Sequence, residues 1–201
     1  MWWLLVPAAY LCGSLSFAYW AGRLNGKDLR QHGSGNLGAT NAGRVLGWNW
    51  FALVFTLDIA KGLVPVLLSH QAHDPYLPIA VAAAAVLGHV FTCFHGFKGG
   101  KAVATSLGVL IGLAPPAAGI IFGSWLAAWL LCWLALRLKR SDAVGPASIV
   151  AALSAVPAYL VTAHPRQLPT LIFLALLAAL VLVKHRGNFA KFVGQVRGAK
   201  S

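Results

Sequence analysis

Seven apolar stretches, most of them near the length of a bilayer crossing, run through the chain with short polar segments between them. They lie at about Trp2–Gly22, Val45–Leu68, Tyr76–Phe94, Ala102–Ala114, Ala117–Leu136, Ala143–Ala163 and Leu168–Val183. A hydrocarbon layer ~30 Å thick is crossed by roughly 20 helical residues, so most of these stretches read as spans. The fourth is shorter, ends at Pro115-Pro116, and on length alone also fits a half-span. Composition agrees: 59% of the 201 residues are hydrophobic and 10% are charged, where a soluble domain carries about 25% charged. A soluble globule, a disordered chain and a coiled coil are excluded. The expected class is an all-α integral membrane protein of seven transmembrane helices, forming a single membrane domain over residues 1–201. The first stretch has no basic segment before it and no small-residue cleavage pattern after it, so it reads as a retained span rather than a signal peptide.

Loop charge sets the expected orientation, because cytoplasmic loops collect Lys and Arg. Arg23, Lys27, Arg30 and Arg44 follow the first span, Lys98 and Lys101 the third, Arg137, Lys139 and Arg140 the fifth, and Lys184, Arg186, Lys191, Arg197 and Lys200 the seventh. With all seven segments crossing, 14 of the 16 cations fall on one side. That places the N-terminus outside and the C-terminus in the cytoplasm. A re-entrant fourth segment would move the cations of the fifth loop outside. Only Asp28, Asp58, Asp74 and Asp142 oppose the cations, there is no Glu, and the formal charge is +12. Such a chain lacks material for a paired-carboxylate site or an oxygen-rich cation cage, and is well supplied to hold phosphates or anionic headgroups. Its cations are dispersed between apolar spans rather than gathered on one soluble face, so nucleic acid is not an expected partner. Cys12, Cys93 and Cys132 form no CxxC and read as small hydrophobes. His89 and His95 lack companion ligands, so no metal and no cofactor are expected.

The segment Gly33-Ser34-Gly35-Asn36-Leu37-Gly38-Ala39-Thr40-Asn41-Ala42-Gly43-Arg44 carries the spacing GxGxxG. A dinucleotide fold would need a preceding strand, and a membrane helix stands there instead. Glycines still permit positive φ and a concave run of N–H groups, Ser34, Asn36, Thr40 and Asn41 add neutral donors, and Arg44 adds a planar fork for phosphate oxygens. The alternative is an ordinary polar turn. A second segment, Lys98-Gly99-Gly100-Lys101, opens the fourth apolar stretch. It is no P-loop, since His95 stands where a Gly is required and Ala102 where a hydroxyl is required. Two ammonium groups at the positive end of a helix make a candidate anion site, although the same lysines also mark the inner side of the membrane. Asp58 and Lys61 share one face of the second span, either as a structural ion pair or within a substrate site. His185 and Asn188 lie one helical turn apart at the end of the last span. The Gly108/Gly112 and Gly119/Gly123 pairs suit close helix packing. No H-x₄-D pattern and no Gly-x-Ser-x-Gly elbow is present.

Together, GSGNLGATNAGRVLG, LDIAKGLVPV, GHVFTCFHGFKGGKAVAT and KHRGN closely resemble the bacterial acyl-phosphate:glycerol-3-phosphate acyltransferase family, over most of the chain and in order. The resemblance implies a membrane enzyme of the bacterial inner membrane, its active site facing the cytoplasm. It would move a fatty acyl group from acyl phosphate to the 1-hydroxyl of glycerol 3-phosphate, giving lysophosphatidic acid and phosphate as the first acylation of phospholipid synthesis. It places Ser34, Asn41, Arg44, Lys101, His185 and Asn188 at functional positions, with His185, Asn188, Asn41 and Lys101 as the expected catalytic set. Gly33, Ser34, Gly35, Asn36, Gly38, Thr40, Arg44, Lys98, Gly99, Gly100 and Ser148 are the expected substrate-binding set. The chain departs from the family's pattern at Thr92, where Pro is usual, at Ala102, where Gly is usual, at Gly145, where a Ser is usual, and in lacking a C-terminal Glu. Acyl phosphate is already an activated anhydride, so direct attack without an acyl-enzyme is expected, with Arg44, Lys98, Lys101 and His185 serving one pocket. The rivals are an anion transporter, against which the absence of repeat symmetry stands, and a lipid-binding scaffold.

Overall fold

The computed structural model of the chain describes residues 1–163 and 167–198. Arg166 and Lys200, both counted in the charge argument, lie outside the described residues, as do the side chains of Lys191 and Arg197. All regular structure among the described residues is helical. Six helical runs are long and apolar enough to cross a membrane: Trp2–Leu24, Trp48–Ala72, Leu77–His95, Pro115–Ala135, Arg140–Thr162 and Leu168–Asn188. The fourth apolar stretch folds as a shorter helix, Val103–Leu113, whose 11 residues extend about 16 Å at ~1.5 Å per residue. The chain divides into two compact bodies, Met1–Pro115 and Pro116–Ser201.

The first body contains α1 (Leu5–Ser14), α2 (Phe17–Leu24), α3 (Ala39–Leu46), α4 (Trp48–Ser69), α5 (Leu77–Val90) and α6 (Val103–Leu113). The first apolar stretch is expected as one helix, but it breaks where Leu15 turns extended, with ψ of 119°. Ser16 restarts the helix by accepting the Tyr19 N–H on its hydroxyl at 3.2 Å, a side-chain N-cap. A break at membrane depth exposes carbonyls that lipid cannot satisfy. Here the Thr92 hydroxyl donates to the Ser14 carbonyl at 2.7 Å and the Lys61 ammonium to the Leu15 carbonyl at 2.8 Å. Thr92, where the resemblance noted above leads one to expect Pro, thus has a specific partner.

Glycines set the helix crossings in this body. A methyl group at Gly13 would press on the Ala85 carbonyl, and one at Gly88 on the Tyr10 carbonyl, so α1 and α5 touch backbone to backbone. Gly62 and Gly108 do the same between α4 and α6, against the Thr105 and Ile59 carbonyls. Close approach of this kind replaces the hydrophobic drive that lipid removes. The expected Gly108/Gly112 packing is therefore realised on α4, whereas Gly119 and Gly123 have open space beside them.

The second body holds α7 (Pro115–Leu130), continued by a π-helical turn at Leu131–Ala135, then α8 (Arg140–Thr162) and α9 (Leu168–Gly198). Trp125 and Trp129 of α7 tie it to α8, their indole N–H groups donating to Ser148 Oγ at 3.3 Å and the Arg140 carbonyl at 3.0 Å. Ser124 and Ser154 add a hydroxyl pair at 2.8 Å.

Candidate functional site

The polar segment after α2 is ordered by a small apolar core of its own. Leu29 and Leu37 are buried with Ala18, Ala21, Ala42 and Val54, which pins the segment to α2, α3 and α4. Full burial of each leucine is worth about 1.5–3 kcal/mol. Gly33 and Gly35 both take positive φ, 65° and 70°, where a side chain would be strained. A Cβ at Gly33 would also collide with the Asn41 amide. Asn41 is buried, accepting the Ser34 N–H on Oδ1 at 2.8 Å. Its amide NH₂ donates to the carbonyls of Leu29 at 3.0 Å and His32 at 3.1 Å. Its amide, expected among the catalytic groups, thus ties the turn together. Ser34 and Arg44 are exposed at either end, and Asn36 and Thr40 are half-buried.

α3 itself is not legible as a helix in the polar motif, yet Ala39 and Ala42 are buried one turn apart and carry Asn41 into the interior with them. Gly38 is its N-cap, with the N–H groups of Asn41 and Ala42 directed to the Gly38 carbonyl. Thr40 and Arg44, four residues apart, share one helical face.

Tyr19 joins this segment to the one after α5. Arg30 lies 5.2 Å from its ring centroid, Arg23 5.9 Å, and the His95 ring centroid 4.4 Å. Arg30 is also the partner of Asp28, with Nη2 donating to Oδ2 at 2.6 Å and Nε to Oδ1 at 2.9 Å. The fork and the Arg30 N–H hold the Asp28 carboxyl down to about 2 and raise the Arg30 guanidinium in turn. Asp28 thereby offsets one of the segment's cations and leaves the others in positive excess.

In the second motif the Gly99 N–H donates to the Val90 carbonyl at 3.1 Å and the Gly100 N–H to the His89 carbonyl at 3.0 Å. The chain is folded back on the end of α5 before α6 begins. Both glycines are required by contact: a Cβ on Gly99 would fall on the His89 carbonyl and one on Gly100 on the His89 imidazole. Lys98 is exposed and Lys101 half-buried. Ala102, where the resemblance leads one to expect Gly, takes φ of 58° as the cap of α6, a left-handed conformation that costs a non-glycine residue about 1–2 kcal/mol.

Below this loop lies the buried pair Asp58 and Lys61, 2.7 Å apart, with His89 Nδ1 3.7 Å from the same carboxylate oxygen. Sequence spacing identifies the first two as a pair; it does not reveal His89, which comes from another helix.

In the second body His185 is 1% exposed, and its Nδ1 lies 2.8 Å from the Val181 carbonyl. A carbonyl only accepts, so Nδ1 is the donor of this bond. Asn188, half-buried, packs against Gly145, where a Cβ would meet the Asn188 amide at 2.7 Å. Gly145, where the resemblance leads one to expect Ser, is thus matched to Asn188. Ser148 is buried, donating to the Val144 carbonyl at 2.7 Å and accepting from Trp125. Among the described residues no group of three or more His, Cys, Asp or Glu is placed to hold a metal ion.

Fold and site together define a multi-pass helical membrane protein whose interhelical segments concentrate backbone N–H groups and cations. Residues 3–195 match the family model described as glycerol-3-phosphate acyltransferase. A glycerol-3-phosphate acyltransferase from Pseudomonas syringae pv. tomato is 42% identical over 190 residues, covering 94% of this chain and 92% of the relative. One from Aquifex aeolicus is 40% identical over 192 residues, covering 94% of each. The crystal structure of PlsY (YgiH), an integral membrane glycerol 3-phosphate acyltransferase, in its glycerol 3-phosphate form superposes with a TM-score of 0.84 at 38% identity. It covers 95% of this chain and 91% of the other. The lysophosphatidic acid form gives 0.82 at 36% identity, with the same coverage. The chain belongs to the glycerol-3-phosphate acyltransferase family and is an acyltransferase.

Proposed function

We propose that the chain transfers a fatty acyl group from acyl phosphate to the 1-hydroxyl of glycerol 3-phosphate, without an acyl-enzyme, in the inner membrane of a bacterium. The observation that carries this reading is its likeness, over 95% of its length, to an acyltransferase structure in a glycerol 3-phosphate form. The two glycine-bearing segments, one leading to Arg44 and one to Lys101, supply the chemistry. The topology proposed with it has seven crossings, α6 included, the N-terminus outside and the polar segments facing the cytoplasm, as the distribution of cations favours.

Both substrates are phosphate anions, so bringing them together requires offsetting positive charge. Arg44 with the Ser34–Thr40 donors is assigned to one phosphate, and Lys101 with Lys98 to the other. The glycerol hydroxyl oxygen attacks the acyl carbonyl carbon, the carbonyl carbon–oxygen bond to phosphate breaks, and phosphate leaves. The hydroxyl proton passes to the departing phosphate. His185 and Asn188 orient the glycerol, while Asn41 holds its turn. Positioning of this kind supplies about 7–11 kcal/mol.

Purified protein in detergent, given glycerol 3-phosphate and acyl phosphate, releases inorganic phosphate without any gradient, and acyl-CoA does not replace acyl phosphate. Silence with acyl phosphate, or equal turnover with acyl-CoA, defeats the proposal.

A further inference from the structure

Lys101 is bracketed by one buried residue. On its N-terminal side, the Gly100 N–H donates to the His89 carbonyl at 3.0 Å and the Gly100 Cα rests against the His89 ring, leaving no room for a Cβ. On its C-terminal side, Thr105 in the first turn of α6 has its hydroxyl 3.2 Å from His89 Nδ1. The ring therefore touches the chain both just before and one helical turn after the lysine. Behind the imidazole lies a buried ion pair. Asp58 Oδ1 lies 3.7 Å from Nδ1, Asp58 pairs with Lys61 at 2.7 Å, and Lys61 donates to the Leu15 carbonyl at the break between α1 and α2. His89, Asp58, Lys61 and Thr105 are all at most 6% exposed. Polar groups buried in contact in this way favour one arrangement where apolar packing would let side chains slide.

We infer that His89 is a positioning residue for the phosphate loop: held by Thr105 and packed over the Asp58–Lys61 pair, it fixes the Gly99–Gly100 backbone and so the place of Lys101. The inference rests on the assignment of Lys101 to a substrate phosphate made above. It explains why two adjacent glycines precede that lysine without positive φ, since contact with His89 demands them.

The test uses the full chain in detergent, below the melting temperature of every variant. His89→Asn keeps a polar group near the Nδ1 position and removes the rest of the ring; Gly100→Ala pushes on an intact ring. Each is expected to lower kcat by about 10²-fold, the cost of a misplacement near 1 Å, while KM for glycerol 3-phosphate stays within about threefold, as expected for loss of a transition-state contact. The pair His89→Asn/Gly100→Ala, in which the new methyl occupies the space the ring left, is expected to recover part of kcat. In parallel, Lys101→Cys in a background whose three native cysteines are Ala is labelled with a thiol reagent, with and without His89→Asn. This reports on the loop without any turnover. A changed labelling rate together with lowered kcat supports the inference. A changed labelling rate with unaltered kcat upholds the positioning of the loop and removes the phosphate role of Lys101. An unchanged labelling rate, or a double variant worse than either single one, overturns the inference. Should His89→Asn fail to fold, Gly100→Ala, which leaves the buried polar groups intact, carries the same kinetic test.

Discussion

Replacing Lys61 by Met keeps the length of the side chain and removes its charge and its donors. In the native fold the ammonium serves Asp58 at 2.7 Å and the Leu15 carbonyl at 2.8 Å, and its Nζ lies 5.6 Å from the Phe17 ring centroid. Both charged side chains are at most 3% exposed, so solvent cannot take over either contact. Removing one partner of a buried pair costs about 3–5 kcal/mol, because the other charge is left uncompensated. The orphaned carbonyl adds about 1–3 kcal/mol. Against a total stability of about 5–15 kcal/mol, such a variant is close to its limit. At ~2–4 °C per kcal/mol for a chain of this size, its melting temperature falls by about 10 °C or more. Adding Asp58→Asn neutralises the stranded carboxylate and restores the larger part, leaving only the carbonyl deficit. Tryptophan fluorescence during heating in detergent measures all three proteins. If Lys61→Met melts within about 2 °C of the native chain, or if the double variant melts below the single one, the pair does not support the broken first helix as argued.

Arg44→Lys replaces a fork by a point charge and is expected to lose about tenfold or more in kcat/KM for glycerol 3-phosphate, in steady-state phosphate release; equal activity removes the clamp assignment. Lys101→Ala is expected to cost about 10²-fold in kcat and exposed Lys98→Ala under about tenfold, and the reverse order would misplace the leaving-phosphate site. His185→Ala should act mainly through KM; a loss of several decades in kcat with donor affinity intact would make it an obligatory base. Asp28 has its folded value lowered to about 2, so its stabilising effect is complete above its ordinary value near 4, declines as pH falls below that and is lost as pH passes about 2. Asp28→Asn is therefore expected to leave the activity profile unchanged in shape between about pH 5 and 8, and an acid limb moved into that range contradicts the pairing with Arg30.

Hydropathy made the long helices legible, because the bilayer imposes a length that a single sequence displays. The same property hid the break at Leu15. Nothing local ends a helix there, and the partners that stabilise the exposed carbonyls, Lys61 and Thr92, come from α4 and the end of α5. α3 was obscured for the opposite reason. Its eight residues lie inside a glycine-rich polar motif, although the one-turn spacing of Ala39 and Ala42 was there to be read. Residue types in the motifs pointed to phosphate chemistry, but not to which side chains face inward. Asn41 and Ser148 both direct their polar atoms to backbone groups of their own neighbourhood. The reason for Gly99 and Gly100 lay in a contact with His89, invisible to spacing alone.

The discontinuity at Leu15 also bears on how the protein is made. When the first segment leaves the ribosome, the residues that will serve its exposed carbonyls, Lys61 and Thr92, have yet to be synthesised. Lipid offers no substitute donor. The segment must therefore enter the bilayer as an unbroken helix, or wait in a hydrated conduit, and unwind once α4 and α5 have arrived. A chain released before α5 is complete lacks half of what that kink requires.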